Sequence, residues 1–250
     1  MTADFNIKNK DCVEFLRDLE SDSVDLIIVD PPYFEIAKEE WDRQWSGESD
    51  YLSWCEDWTR ECFRVLKPGR CFYVFGTTKT NTFLRYKLDV LDEIEGFQYN
   101  NWLIWHYEYG GKSRKSFSRK HEDCLMYSKG DSFLFNAESV RIPYVNKKNP
   151  QNKPGGKIPT DVWFSNKAMS GEDRIIHPTQ KPLKILRRMI KASSNKGDIV
   201  LDCFSGSGAT AMATLQCERK FLGCEKDSDY FQKSINRLMH STYLKQNQEK

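Results

Sequence analysis

Two stretches of the sequence combine residue types that could bind and modify a flat, amine-bearing ring. The first is Asp30-Pro31-Pro32-Tyr33, which follows directly on a β-branched apolar run at residues 24–29. Proline has no N–H group, so the carbonyls around it lose local partners, and a carboxylate, a carbonyl and an aromatic face are held rigidly together. This combination suits an exocyclic amine with two N–H donors. A proline-terminated turn with Tyr33 packed on a sheet is an equally good interpretation of these four residues alone.

The second stretch, residues 202–210, has the sequence DCFSGSGAT and predicts a strand that passes through a glycine turn into a helix. Gly206 and Gly208 allow close backbone approach, and the N-terminus of a helix offers free N–H groups, as a nucleotide-bearing cofactor requires. The dinucleotide fingerprint G-x-G-x-x-G is met only in part, because Ala211 stands at its last position. The alternative is a tight strand–helix turn without a ligand.

Glu225 ends the next predicted strand, 17 residues after Gly208. A carboxylate at this position can accept hydrogen bonds from ribose hydroxyls, although a surface glutamate is the commoner explanation. A further stretch, residues 177–182 (HPTQKP), precedes a predicted helix. Its two prolines indicate a rigid polar loop and a helix cap, without a unique function.

The elements around these stretches alternate between strand and helix. Seven stretches have the pattern of strands: 5–8, 24–29, 71–76, 98–107, 122–128, 199–203 and 221–225. Helical stretches separate most of them, which predicts an α/β fold with a mostly parallel sheet covered by helices on both faces. In such sheets ligands bind beyond the carboxyl ends of the strands, where Asp30 lies. Residues 108–120 and 136–176 show no sustained period and are predicted to be loops that are either functional or disordered.

Composition excludes several classes of protein. The chain of 250 residues has 13% aromatic residues, too many for a mostly disordered protein. It has no apolar run long enough for a membrane span and no apolar signal region at its start, so a cytoplasmic protein without a membrane partner is expected. None of its eight cysteines forms a C-x-x-C pair and only four histidines are present, so no metal site and no disulfides are expected.

The net charge of +2 conceals an asymmetry along the chain. Residues 1–60 hold 6 Lys/Arg and 16 Asp/Glu, a net of −10, whereas residues 110–157 hold 11 Lys/Arg and 4 Asp/Glu, a net of +7. Each block could be a solvated surface. The alternative hypothesis is that the basic block meets a polyanion.

Together, the order and identity of these motifs resemble the β class of amino-group DNA methyltransferases, which use S-adenosylmethionine and modify adenine-N6 or cytosine-N4. The resemblance rests on Asp-Pro-Pro-Tyr, then a basic variable region, then HPTQKP, then the glycine-rich turn, and it covers roughly residues 5–240. It implies a Rossmann-like, mostly parallel seven-stranded sheet with one antiparallel strand near an edge. It also implies a single catalytic domain over residues 1–250, with 108–120 and 136–176 as inserted DNA-recognition loops.

The resemblance assigns roles to individual residues. Asp30 and the carbonyl of Pro31 would accept the two hydrogens of the target amine, with Pro32 fixing the backbone and Tyr33 stacking on the extruded base. Residues implied to bind the cofactor are Asp11, Cys12, His177, Thr179, Lys181, Asp202, Phe204, Gly206, Ser207, Gly208 and Glu225. For Asp11, a role as a helix N-cap is an equally good explanation.

The basic stretches are predicted to bind the DNA backbone, because lysine and arginine on phosphates give sequence-independent affinity. The residues are Lys112, Arg114, Lys115, Phe117, Arg119 and Lys120 in the first loop and Lys147, Lys148, Lys153 and Lys157 in the second. His121-Glu122 could line the target pocket, but a structural role on an edge strand is the favoured interpretation.

The predicted function is site-specific adenine-N6 methylation of double-stranded DNA, because adenine-N6 enzymes commonly carry Asp or Asn before Pro-Pro-Tyr and cytosine-N4 enzymes commonly carry Ser. The alternatives are cytosine-N4 methylation, methylation of RNA or of a protein side chain, and a nucleotide-binding DNA-binding module without catalysis. A homodimer and a cognate restriction endonuclease are further partners that the resemblance allows.

Overall fold

The computed structural model describes residues 4–34, 36, 43–108, 113–166 and 180–248. Its strands are β1 (Phe5–Asn9), β2 (Val24–Val29), β3 (Leu66–Gly76), β4 (Phe97–His106), β5 (His121–Lys129), β6 (Val162–Phe164), β7 (Ile199–Asp202) and β8 (Lys220–Glu225). The helices are α1 (Cys12–Arg17), α2 (Glu48–Val65), α3 (Thr82–Tyr86), α4 (Leu183–Ser193), α5 (Ala209–Gln216) and α6 (Ser228–Gln248). A π-helical turn, Lys87–Leu91, extends α3, and a 3-10 turn occupies Ala137–Val140.

The strands form one sheet in the order β1-β8-β7-β2-β3-β5-β4-β6. All pairings are parallel except those of β5, which is antiparallel to both β3 and β4. The predicted α/β class with one antiparallel strand is confirmed, but the predicted count of seven strands is wrong. The eighth strand, β6, lies within the stretch 136–176 and has only three residues, too short for an alternating pattern to stand out.

Alternate residues of the central strands enter two separate cores, because side chains in a strand point to opposite faces. Ile27 and Val29 of β2 pack with α1, α2 and α3 on one face. Leu26 and Ile28 pack with α4, α5 and Leu238 of α6 on the other. All six residues of β2 are buried, which explains why its sequence is a continuous apolar run rather than an alternating one.

The turn after α2 differs from the prediction. Pro68-Gly69 does not itself end the helix, which stops at Val65; the pair lies inside β3. Between Val24 and Leu26 of β2, the pairing on β3 moves from Leu66 to Cys71. The extra residues form a bulge in which Gly69 has φ +71°, so the proline lies where no regular ladder bond is needed.

The path of the chain reverses between β2 and β7. β2 leads through α2 to β3 on one side, whereas β7 leads through α5 to β8 on the other. The helices that follow the two strands pack on opposite faces of the sheet. A crevice therefore opens beyond the carboxyl ends of β2 and β7, which is where open α/β sheets bind their ligands. Asp30 follows β2 and Asp202 ends β7, so both carboxylates lie at this crevice.

The described parts of the two predicted loops differ in structure. Residues 113–120 contain no helix or strand, whereas residues 136–166 include the 3-10 turn, β6 and an antiparallel bridge between Ile142 and Lys157. Beside the bridge lies an open surface groove of about 450 Å³, lined by Arg141, Pro143, Tyr144, Lys147, Asn152, Gly155 and Gly156. None of the described helices is long and apolar enough to cross a membrane.

Candidate active site

The Asp-Pro-Pro-Tyr segment begins where β2 ends and is fixed by hydrogen bonds. The Tyr33 hydroxyl donates to Oδ1 of Asp30, so the ring and the carboxylate form one unit. The Tyr51 hydroxyl, on α2, donates to the carbonyl of Pro32 at 2.8 Å. Tyr51 thus fixes the Pro32 carbonyl, and acceptance of a target amine by the Pro31 carbonyl stays a prediction.

Aromatic side chains connect this segment to the glycine-rich turn. Phe34 has φ +58°, a strained conformation for a residue with a large side chain, and its ring lies 5.3 Å from that of Tyr51. Tyr51 contacts Trp54, and Trp54 contacts Phe204 of the turn, with ring centroids 5.8 and 5.7 Å apart. The backbone strain at Phe34 is thus supported by packing that extends to the other side of the crevice.

Lys181 contacts the same carboxylate from the opposite side. Its Nζ lies 2.5 Å from Oδ2 of Asp30, 3.1 Å from the Tyr33 hydroxyl and 3.2 Å from Oε2 of Glu122, and its side chain is only 4% exposed. Burial alone would lower the pKa of Lys181, but the carboxylates of Asp30 and Glu122 outweigh it, so the pKa is raised and the ammonium stays charged. The resemblance implies that Lys181 borders the methionine end of the cofactor; the structure places its ammonium at the Asp30 carboxylate.

The backbone of the glycine-rich turn and of the neighbouring strand β8 requires glycine at several positions. Gly206 and Gly208 have φ +48° and +73°, and Gly208 is the N-cap of α5. A Cβ on Gly223 of β8 would lie 2.5 Å from the carbonyl oxygen of Asp202, so β7 and β8 approach too closely for any other residue there. The Phe204 N–H donates to Oδ1 of Asp202 at 2.9 Å, which holds the turn against the end of β7.

The Glu225 carboxylate links the glycine-rich turn to the segment that follows β8. Its Oε2 accepts from the Gly206 N–H at 2.7 Å and its Oε1 from the Asp227 N–H at 2.9 Å. Burial raises the pKa of Glu225. Each carboxylate oxygen can accept more than one hydrogen bond, so both oxygens retain capacity for hydroxyl donors.

These features fit a nucleoside-bearing methyl donor. The turn offers a close backbone approach, the Glu225 carboxylate offers two oxygens that can accept from hydroxyls, and Phe204 with Trp54 supplies an apolar wall. The remaining predicted cofactor residue of the turn, Ser207, is 3% exposed, and its carbonyl accepts from Arg237 at 3.1 Å, so its side chain lines the base of the turn rather than its mouth.

Asp11 and Cys12 lie at the start of α1. The Asp11 carboxylate accepts from the Val13 N–H at 3.0 Å and is the N-cap of the helix, which is the structural alternative that the sequence left open. The Cys12 side chain is 5% exposed, and burial raises the pKa of its thiol. Contact of these two residues with an adenine ring stays a prediction.

Burial raises the pKa of Asp202 to about 7, and the nearby charge of Asp30 adds to the shift. In the unfolded chain the same carboxyl ionises near its ordinary value of 3.8. The folded protein therefore binds the extra proton between these two pH values. The stability that Asp202 contributes is complete below about pH 4 and is lost as the pH rises through about 7.

We expect Asp202→Asn to remove this loss, because the amide keeps an acceptor for Phe204 N–H but cannot ionise. The free energy of unfolding of the variant should rise relative to the unmodified protein between about pH 4 and 7, by up to about 1.4 kcal/mol per pH unit. Urea unfolding at several pH values measures the difference. Parallel stability curves for the two proteins across this range would show that Asp202 ionises normally in the folded chain.

The residues predicted to bind DNA differ in how exposed their side chains are and in whether the protein itself binds them. Arg114, Lys115, Lys147 and Lys148 are exposed, and Phe117 is fully exposed, at 104%. Arg119 is two-thirds buried; its guanidinium donates to the Thr78 hydroxyl at 2.8 Å and lies 3.7 Å from the buried Asp123. Arg119 therefore anchors the base of the first loop to the sheet. Lys120 is half-buried and lies directly before β5.

Three predicted site residues, Lys112, His177 and Thr179, lie outside the described residues. The interpretation of Glu122 as an edge-strand residue is wrong, because β5 lies between β3 and β4 and Glu122 pairs with Lys181. Lining of the target pocket by Glu122 was the less favoured interpretation of the sequence, and Tyr51 was missed. Neither residue carries a local signal: each reaches the site through the pairing or packing of its element, so sequence spacing alone could not identify it.

Comparison with known proteins identifies relatives over most of the chain. The sequence model of a family described as DNA methylase, covering N6 and N4 methyltransferases, matches residues 24–236. Type II methyltransferase M.HpaI of Haemophilus parainfluenzae is 35% identical over 235 residues, covering 90% of this chain and 71% of that protein. DNA adenine methyltransferase YhdJ of Escherichia coli K12 is 33% identical over 246 residues, covering 91% of this chain and 80% of that protein.

Solved structures agree with the fold. PvuII DNA methyltransferase, which is cytosine-N4-specific, superimposes with a TM-score of 0.77 at 19% identity, covering 95% of this chain and 87% of that one. The M1.HpyAVI complex with SAM superimposes with a TM-score of 0.64 at 27% identity, covering 94% of this chain and 98% of that one.

Proposed function

The chain belongs to the family of N6/N4 DNA methylases, and on that basis we propose that it transfers a methyl group from S-adenosylmethionine to the N6 amine of an adenine extruded from double-stranded DNA. The observation that carries the proposal is the unit of Asp30, Tyr33 and the Pro31 carbonyl beside the glycine-rich turn. A carboxylate before Pro-Pro-Tyr favours adenine over cytosine. The similarity to a protein named as a DNA adenine methyltransferase supports the same choice.

The chain's own residues would do most of the work by orientation. An exocyclic amine is a poor nucleophile because its lone pair is delocalised into the ring. Asp30 and the Pro31 carbonyl accept its two N–H groups and thereby favour a pyramidal nitrogen whose lone pair points away from the ring. Holding the reactants in line and aiming fixed dipoles at the developing charge supplies the rate enhancement. When bound, S-adenosylmethionine supplies an electrophilic methyl group on a sulfonium.

The target base must leave the duplex to reach this crevice. Tyr33 provides a face on which it can stack, and Glu225, Gly206 and Phe204 hold the donor on the other side. Asp11, Cys12, His177 and Thr179 complete the proposed donor site. Arg114, Lys115, Phe117, Lys147 and Lys148 form the proposed DNA-binding surface. A second copy of the chain and a cognate restriction endonuclease stay predictions, as does a cytoplasmic location.

Nucleoside analysis tests the choice of base. DNA from cells that express the protein, digested to nucleosides and analysed by mass spectrometry, should contain N6-methyladenine above the level in cells that express Asp30→Ala. Sequencing of the same DNA would give the sequence context. N4-methylcytosine without N6-methyladenine would refute adenine as the target, and no methylated base on varied DNA, with S-adenosylmethionine bound, would favour a module without catalysis.

A further inference from the structure

The lysine beside the catalytic carboxylate raises a problem for the reaction. The Lys181 ammonium lies 2.5 Å from Asp30 and donates to the Tyr33 hydroxyl, so a simple ion pair would neutralise Asp30 and occupy one of its oxygens. Methyl transfer moves a positive charge from the donor to the amine nitrogen. A site with no net negative charge would stabilise that charge poorly.

Glu122 changes this charge balance. Its carboxylate lies 3.2 Å from the same ammonium and its side chain is 12% exposed, so Lys181 is shared between two carboxylates and the group carries a net charge of −1. The nearby charged pair of Arg119 and Asp123 balances itself, with 3.7 Å between its groups. Burial raises the pKa of Tyr33, and the charges of Asp30 and Glu122 raise it further, in line with the position of Glu122 beside this unit.

The position of Glu122 follows from the direction of β5. Parallel strands bring their last residues to the crevice, but β5 is antiparallel and brings its first residues there. Asp123 is paired with Gly76, the last residue of β3, so Glu122 lies beyond the carboxyl end of that strand. The reversed strand β5 thus delivers a carboxylate to the edge of the sheet at which Asp30 lies.

We propose that Glu122 is a positioning residue for methyl transfer: by sharing the Lys181 ammonium, it leaves Asp30 able to accept from the target amine and keeps the site net negative. This inference rests on the proposed function. As the nitrogen–methyl bond forms, the sulfur–methyl bond breaks and its electron pair stays on sulfur. The nitrogen, now positive, then releases one proton to the Asp30 carboxylate. The surplus negative charge favours both the charge transfer and the acceptance of this proton by Asp30.

The test is Glu122→Gln, which removes the charge but keeps the size and leaves Lys181 paired with Asp30. We expect the single-turnover rate of methyl transfer to fall by about 10- to 100-fold. The KM for DNA and the Kd for S-adenosylmethionine should change less than about threefold, because Glu122 acts on the chemical step rather than on binding. Glu122→Asp, which restores the charge, should recover most of the rate.

A charge-balanced double variant separates this role from a structural one. Glu122→Gln combined with Lys181→Met removes one charge of each sign and restores a net of −1, so it should be faster than Glu122→Gln alone. Thermal unfolding reports any loss of folded protein. A single-turnover rate of folded Glu122→Gln equal to that of the unmodified protein would overturn the inference, and so would a double variant slower than the single one.

Asp30→Ala in the same assay distinguishes failure of the inference from failure of the proposed function. If Asp30→Ala is inactive and Glu122→Gln is as fast as the unmodified protein, only the role of Glu122 is wrong. If Asp30→Ala itself retains the rate, the assignment of the active site is wrong.

Discussion

Replacing Asp30 by alanine is expected to abolish methyl transfer while the protein still binds S-adenosylmethionine. The substitution removes an acceptor of the target amine, and loss of one preorganised group of this kind costs about 10²- to 10³-fold in rate. It also leaves the buried Lys181 ammonium paired with Glu122 alone. The ammonium is then less well neutralised and repels the positive charge that develops on the amine more strongly. The combined loss should therefore reach at least about 10³-fold. Single-turnover transfer of labelled methyl to DNA measures the rate, and titration calorimetry measures donor binding.

Two further variants make this result specific. Asp30→Asn keeps one acceptor oxygen and should have a rate between those of alanine and aspartate. Glu56→Ala removes a carboxylate on the surface of α2 that pairs with Arg60 on the same helix, and it should leave the rate unchanged. Near-normal turnover by Asp30→Ala would eliminate Asp30 as the group that orients the amine.

Neutralising the exposed basic residues of the two loops is expected to weaken DNA binding by about 10²- to 10³-fold at 0.1 M salt. Each lysine or arginine that contacts a phosphate contributes about 0.9 to the slope of log affinity against log salt, so four substitutions flatten it by up to about 3.6. Fluorescence anisotropy over a range of salt concentrations measures both quantities. The residues to be changed to alanine are Arg114, Lys115, Lys147 and Lys148.

A matched variant controls for total charge. The lysines to be changed to alanine lie outside the two loops and are exposed: Lys191, Lys196, Lys220 and Lys233. This variant should retain both the affinity and the slope. If the two quadruple variants behave alike, the attraction to DNA depends on net charge and not on these loops. Phe117→Ala, in contrast, should weaken binding without changing the slope, because its exposed ring carries no charge.

Several parts of the fold could be predicted from local sequence. The continuous apolar run of β2 predicted a strand buried on both faces, and the proline pair after it predicted where the strand ends. The glycine turn was predicted equally well, because positive φ at Gly206 and Gly208 requires residues without a Cβ. β6 was missed because three residues, two of them half-exposed, give no usable period.

Some residues of the site could be identified from the sequence, and others only from the tertiary structure. The sequence by itself determined the family, the mostly parallel sheet, and the residues that lie in the two motifs, since rigid prolines and unavoidable glycines act within a few residues of chain. Only the tertiary structure decided which side chains surround Asp30. Lys181 and Glu122 lie 151 and 92 positions away along the chain, and Glu122 reaches the site because β5 runs against its neighbours. Strand direction and pairing depend on the packing of the whole sheet, and the local pattern of a strand does not encode them.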